Sequence, residues 1–210
     1  MASVEIRFDR LDVEPAEVAY LARLLDAEEC ERAARFRFEA DRRRFIVRRG
    51  RLRERLGERT GQAPERLAFG IGPFGKPELP GGPRFSLSHS GERMMLAISD
   101  VEVGCDIERH RPLDDWRAIA DRLFAPGERA QLAALDEAEG RAAFFRCWAR
   151  KEAFVKALGQ GLSYPLDAFE VTVGPEARLL RGGEGWRIAV VKAGSDCAAA
   201  VVTRELPLRT

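Results

Sequence analysis

Asp106 and Glu108 stand two residues apart in the run Val103-Gly104-Cys105-Asp106-Ile107-Glu108. At strand periodicity this spacing sends both carboxylates to one face and Val103, Cys105 and Ile107 to the other. Two hard oxygen donors side by side suit Mg²⁺, which binds one or two carboxylates together with substrate phosphate and keeps several waters. Gly104, on the carboxylate face, is expected to leave room for a bulky phosphorylated ligand. A solvated strand face is the other meaning of a bare Asp-x-Glu.

A second constellation is Trp148-Ala149-Arg150-Lys151-Glu152-Ala153-Phe154-Val155-Lys156, where Trp148, Glu152 and Lys156 recur every four residues and share one helix face. Glu152 can complete a metal site while Lys156 reaches phosphate; the alternative is a surface ion pair beside a core tryptophan. A third is Phe85-Ser86-Leu87-Ser88-His89-Ser90, whose hydroxyls and imidazole can donate to phosphate oxygens or form a polar strand exit. No Gly-x-Ser-x-Gly turn accompanies Ser88 and His89, which argues against a serine hydrolase. Lys76, in Phe74-Gly75-Lys76-Pro77, is held in a constrained turn or is an exposed loop cation.

The elements that must position these residues follow from the hydrophobic pattern. Strand alternation marks Val4–Phe8, and helical spacing marks Pro15 to Leu25. Asp41 is expected to cap a long helix reaching about Leu56, with Gly57 and Gly61 as stop signals. The stretch GIGPFGKPELPGGP reads as loop, and strands are predicted at Phe85–His89, Met94–Ser99 and Val101–Glu108. Then the order begins again. Helices are predicted at Asp114–Phe124, after Pro126, and from about Arg141 to Leu158 before Gly159, followed by strands at Phe169–Val173, Trp186–Lys192 and Cys197–Thr203. The two long helices align at an offset of 102, matching Arg48 with Arg150, Leu56 with Leu158 and Gly57 with Gly159. The fold class read from this order is α/β, of the α+β type, with two pseudo-symmetric halves at 1–100 and 101–210 and an active site in the cleft between them.

Composition narrows the function classes. The 210 residues are 45% hydrophobic, enough to bury a core, and no apolar run approaches the ~20 residues of a membrane span. The N-terminus lacks a signal-peptide pattern, so a cytoplasmic protein with no membrane partner is expected. Cys30, Cys105, Cys147 and Cys197 are scattered without a CxxC pair, so neither disulfides nor a zinc site is expected. Net charge is +1, yet residues 32–59 hold twelve arginines against four acids, a local +8. That segment suits polyphosphate or an acidic protein, and it supports a rival reading as a nucleic-acid-binding protein, although the rest of the chain is acidic, at −7. Of 35 basic residues only four are lysines (Lys76, Lys151, Lys156 and Lys192), and three of them fall in the motifs above. A compact ammonium retained among guanidiniums points to chosen chemistry.

In this order GKP, FSLSHS, VGCDIE and WARKEAFVKALGQGL resemble the surfactin-synthetase-type (Sfp) phosphopantetheinyl transferases, from about Glu28 to Val173. The resemblance implies a monomer holding coenzyme A between its halves and transferring phosphopantetheine to a serine of an apo acyl or peptidyl carrier protein. It implies Mg²⁺ on Asp106, Glu108 and Glu152, with Asp106, Glu152 and Lys156 as the catalytic groups and Lys156 on the pyrophosphate. Coenzyme A would meet Ser88, His89, Asp106 and Lys156 through its phosphates, Lys76 at its nucleotide end, and Arg32 and Arg44 near the 3'-phosphate. Where the family often carries a cation and a small hydroxyl residue, this chain has Glu29 and Phe45. Glu128, in LFAPGE, matches a family acid without an assigned role.

Overall fold

The computed structural model describes residues 3–205. Strand β1 (Val4–Arg10) leads into α1 (Pro15–Ala22), which starts on a proline whose missing N–H costs nothing in a first turn. The following α2 (Ala27–Ala34) was not legible from hydrophobic spacing and owes its start to a capping box. Asp26 accepts the Glu29 N–H at 2.9 Å, and Glu29 accepts the Asp26 N–H at 3.2 Å. Helix α3 (Glu39–Thr60) exceeds its expected span at both ends, with Asp41 inside the first turn rather than at the cap. It runs through Gly57 and stops at Gly61, where φ is +70°. Gly57 instead permits close packing, since a Cβ there would meet the Gln62 carbonyl oxygen at 2.8 Å.

The glycine- and proline-rich loop contains a minimal hairpin, β2 (Gly70–Ile71) with β3 (Pro77–Glu78), ahead of β4 (Arg84–Ser90) and β5 (Arg93–Ser99). Strand β6 (Val103–Arg109) is followed by α4 (Trp116–Leu123), α5 (Pro126–Ala133) and α6 (Glu137–Leu158). Helix α6 begins a turn earlier than its apolar spacing suggests because Asp136 caps it, accepting the Glu139 N–H at 2.9 Å. Strands β7 (Glu170–Val171), β8 (Leu179–Arg181), β9 (Trp186–Val190) and β10 (Cys197–Arg204) complete the chain. The strand expected at Phe169–Val173 shrinks to two residues, where its pairing with β8 shifts register.

The architecture is α+β and repeats itself. One antiparallel sheet has the order β1-β5-β4, the other β6-β10-β9. Each half also has a 22-residue helix closed by a left-handed glycine, Gly61 at φ +70° and Gly159 at φ +69°. These caps set the repeat offset at 98, which corrects the sequence alignment of 102 and pairs Arg48 with Arg146 rather than Arg150. The error is one helical turn, a slip that leaves the same face of the helix in register and so deceives a comparison of residue types.

Each half has its own apolar core, centred on Leu52 and Leu56 of α3 and on Phe144 and Phe154 of α6. A third cluster joins them: Met95 and Ala97 of β5 meet Cys105 and Ile107 of β6. Strand β4 lies against β6 through its alternating serines. Ser86 Oγ accepts the Cys105 N–H at 3.0 Å, Ser88 Oγ donates to Asp106 at 2.6 Å, and Ser90 Oγ donates to Glu108 at 3.1 Å. Gly104 departs from its expected role. A Cβ there would collide with backbone atoms of Ala153 and Ala157, so its bareness admits α6 and not a ligand.

Candidate active site

A cavity of about 680 Å³ opens where the halves meet. Asp106 and Glu108 reach it from β6, Ser88 and His89 from β4, and Lys76 from the turn before β3. Helix α6 contributes Trp148, Glu152 and Lys156 from one face, as their four-residue spacing requires. Arg32 enters from α2, and α3 presents Phe45, Arg48, Arg49 and Leu52. Of the residues singled out in the sequence as site groups, only Arg44 stands outside this lining.

At one end the chemistry centres on Asp106, which is 2% exposed. Its Oδ1 accepts from Lys156 Nζ and from Ser88 Oγ, each at 2.6 Å, while Oδ2 is buried without a partner. Burial pushes the Asp106 carboxyl above the usual range, against the opposing pull of Lys156. Glu108 is pushed up to about 7 by burial and by repulsion from Asp106. Glu152 is raised by the same two causes, and its Oε1 is also buried and unpartnered. Burial works against the Lys156 charge, but Asp106 outweighs it and holds the ammonium above its ordinary value. Crowded carboxylates with unsatisfied oxygens are the donor set a divalent cation would relieve. Among the described residues no three such groups already stand close enough to form a metal cage.

The other end is cationic. Arg48 NH1 lies 2.7 Å from His89 Nε2 and has no carboxylate partner among the described residues. Burial, then repulsion from Arg49 and Arg32, lowers its guanidinium to about 10. His89 is lowered to about 4 by loss of water and by Arg48, Lys156 and Arg44, so its imidazole is neutral near pH 7. Arg44 itself grips Asp12 in a two-point contact at 2.7 Å on each oxygen. Its donors are thus committed to Asp12, and Arg48, one turn further along α3, lines the cavity instead. Arg49 is held by Glu29, which is also bound by the buried Arg53. Lys76 Nζ donates to the Val103 carbonyl at 2.9 Å, with its charge disfavoured by burial. The signal for Arg48 and Arg49 was present in the sequence, since Phe45, Arg48, Arg49 and Leu52 follow helical i, i+3, i+4, i+7 spacing.

The wider arginine run is not a free basic surface. Acids from outside the segment meet it: Asp9 pairs with Arg55, Asp12 with Arg44, Glu17 with Arg51, Asp26 with Arg53 and Asp100 with Arg59. The local +8 is thus largely neutralised by folding, which removes the ground for the nucleic-acid reading.

Residues 102–202, carrying Asp106, Glu108, Glu152 and Lys156, match a family model described as the 4'-phosphopantetheinyl transferase superfamily. The 4'-phosphopantetheinyl transferase HetI of Nostoc sp. is 35% identical over 198 residues, covering 91% of this chain and 83% of that protein. The chain belongs to the 4'-phosphopantetheinyl transferase superfamily. A 4'-phosphopantetheinyl transferase of Bacillus subtilis is 34% identical over 151 residues, covering 70% of this chain and 66% of its own. AcpT of Salmonella typhimurium is 48% identical over 91 residues, 42% of this chain and 47% of that one.

In this phosphopantetheinyl transferase the unassigned acid Glu128 has a structural place. It is fully buried, accepts the N–H groups of Ala125 at 2.9 Å and Val171 at 2.8 Å, and pairs with Lys151 at 2.8 Å. Lys151 also donates to the carbonyls of Leu166 and Phe169, at 2.6 and 3.0 Å. The first half repeats the device: Glu29, third residue of α2, pairs at 2.6 Å with the buried Arg53 of α3. Each long helix is thereby tied to the short helix before it through a buried cation and an acid that accepts the N–H of the N-cap residue.

Proposed function

We propose that this chain moves the 4'-phosphopantetheine arm of coenzyme A to a serine hydroxyl of an apo carrier protein, in an Mg²⁺-dependent reaction that releases adenosine 3',5'-bisphosphate. What carries the reading is the polarity of the cleft, with uncompensated cations at one end and crowded carboxylates beside Lys156 at the other. A molecule with a terminal phosphate monoester and an internal pyrophosphate matches both ends.

In this reading Arg48, Arg32 and His89 hold the 3'-phosphate. Arg48 replaces Arg44 there, since Arg44 is committed to Asp12. Lys76 flanks the nucleotide. Ser88 and Lys156 turn from Asp106 toward the pyrophosphate, and Asp106, Glu108 and Glu152 are the carboxylates that would hold Mg²⁺. Mg²⁺ bound to these three would supply neutralisation of the pyrophosphate charge. The serine oxygen attacks the β-phosphorus, the bond from that phosphorus to the bridging oxygen breaks, and the electron pair leaves with adenosine 3',5'-bisphosphate. Glu152 accepts the serine proton. Lys156 donates to the oxygen on which charge accumulates, so positioning and charge compensation supply most of the acceleration.

The same reading divides the protein between Asp100 and Val101 and takes it as a cytoplasmic monomer; among the described residues no helix is long and apolar enough to cross a membrane. The test is to incubate the protein with coenzyme A and apo carrier proteins from fatty-acid, polyketide and peptide synthesis, with Mg²⁺ or with a chelator, and to weigh the carriers. A gain of one phosphopantetheinyl group on a serine, lost with the chelator, is expected. No gain on any carrier would reject the reading, and a gain undiminished by the chelator would reject its metal.

A further inference from the structure

The second half repeats a cavity as well as a fold. In the first half the cationic end of the cleft is enclosed by α3 and the end of β4, through Arg48, Leu52 and His89. The 98-residue offset carries Arg48 to Arg146 and Leu52 to Arg150 on α6, and β9 has the place in its sheet that β4 has in the other. Arg146 and Arg150 line a separate cavity of about 420 Å³, closed by His110 and by the connection from Val190 to Cys197. It lies on the opposite side of α6 from Trp148 and Glu152.

Among the described residues no carboxylate lines this cavity. Arg150 is only 2% exposed, yet its donors reach just the Thr172 carbonyl at 2.6 Å, the Thr172 hydroxyl at 3.1 Å and the Pro175 carbonyl at 3.0 Å. The other fully buried cations, Arg53 and Lys151, each have a carboxylate. A guanidinium carries five donors, so Arg150 retains hydrogen-bonding capacity for a ligand, and its buried charge lacks a counter-ion among the described residues. His110 Nε2 is buried without a partner among the described residues. Among the described residues Arg146 is neutralised only by the half-exposed Glu139. Lys192 stands at the mouth, and Val190, Val191 and Ala198 give an apolar wall.

We propose that this cavity binds a small phosphate monoester with an apolar body. Two guanidiniums and an ammonium around one head group match a dianion better than a single carboxylate, and the apolar wall takes the ester group. The site does not rest on the transfer reading, because its residues lie outside the cleft.

The test is an amide-resolved NMR titration of the full chain with phenyl phosphate, beside inorganic phosphate and benzoate. Phenyl phosphate is expected to shift the amides of His110 and of residues 190–199, and to bind more tightly than either comparator. The double variant Arg146→Gln, Lys192→Gln changes two partly exposed side chains and should keep the thermal midpoint and carrier modification of the parent. Its affinity for phenyl phosphate at these amides should fall roughly tenfold or more, as for lost charge-assisted contacts. Shifts confined to Arg48 and His89, or an affinity unchanged in the variant, would overturn the site. Equal binding of benzoate would overturn the dianion, and equal binding of inorganic phosphate the apolar body.

Discussion

Lys156 Nζ lies 2.6 Å from Asp106 Oδ1, so in the absence of ligands the principal cleft carboxylate is already neutralised by the lysine proposed to act on substrate. On the proposed mechanism, Lys156 exchanges this partner for phosphate during turnover. Lys156→Ala should lower kcat by roughly 10²–10³, the usual consequence of losing one preorganised donor. It should also lower the thermal midpoint of the metal-free protein, because a buried carboxylate loses its counter-ion. Lys156→Arg keeps the charge in a larger planar group, and only partial recovery of kcat is expected. Full activity in the arginine variant, with an unchanged midpoint in the alanine variant, would reduce the pair to an incidental contact.

Arg48 and Arg44 separate the cleft from its rim. Arg48→Ala should weaken coenzyme A roughly 10- to 100-fold, the scale of a hydrogen bond to a charged group, and 3'-dephospho-coenzyme A far less. Arg44→Ala should leave both affinities nearly unchanged. Calorimetric titration of the two variants with the two ligands decides it, and the reverse ranking would return the 3'-phosphate to Arg44.

The buried Glu128–Lys151 pair makes a stability prediction. Glu128→Ala strands an ammonium that is wholly inaccessible to solvent, and the expected loss is about 3–5 kcal/mol. Glu128→Leu combined with Lys151→Met removes both charges and should cost less than the single change. Urea unfolding of the three proteins measures this, and a double variant less stable than Glu128→Ala would show that the carbonyl contacts of Lys151 outweigh its charge pairing.

His89 gives a pH dependence. Its folded pKa is about 4, below the ordinary 6.5 of an unfolded histidine, so between these values the unfolded chain binds more protons. This contribution to stability is complete above about pH 6.5 and is lost as pH falls toward 4. NMR titration of the imidazole should place the midpoint near 4. A midpoint near 6.5 would show that neither loss of water nor the cations around it bears on the ring.

If Asp106, Glu108 and Glu152 serve one cation, their removal cannot be additive. Each alanine variant should lose most transfer, and any double variant should be little worse than the more damaged single variant. Direct Mg²⁺ titration of the same proteins supplies a second measure. Multiplying rate losses with intact Mg²⁺ binding would argue for separate roles.

The pairing of Asp106 with Glu108, and of Glu152 with Lys156, is determined by the sequence alone, because strand and helix periodicities are properties of the backbone and hold wherever the element is placed. Membership of the superfamily was legible for the same reason, through short motifs in fixed order. What only the tertiary structure decided is which of many arginines lines the cleft. Arg44 and Arg48 share a helix and a residue type, and they are told apart by Asp12, which folding brings to Arg44 across 32 positions of chain. The repeat offset likewise depended on where Gly61 and Gly159 adopt the left-handed cap, since a slip of one turn leaves the side-chain pattern intact. Gly104 and Glu128 acquired their meanings from the approach of α6, a packing contact with no trace in local spacing. Local geometry is written residue by residue, whereas the choice of partner for a buried charge is settled by whichever distant groups the fold delivers to it.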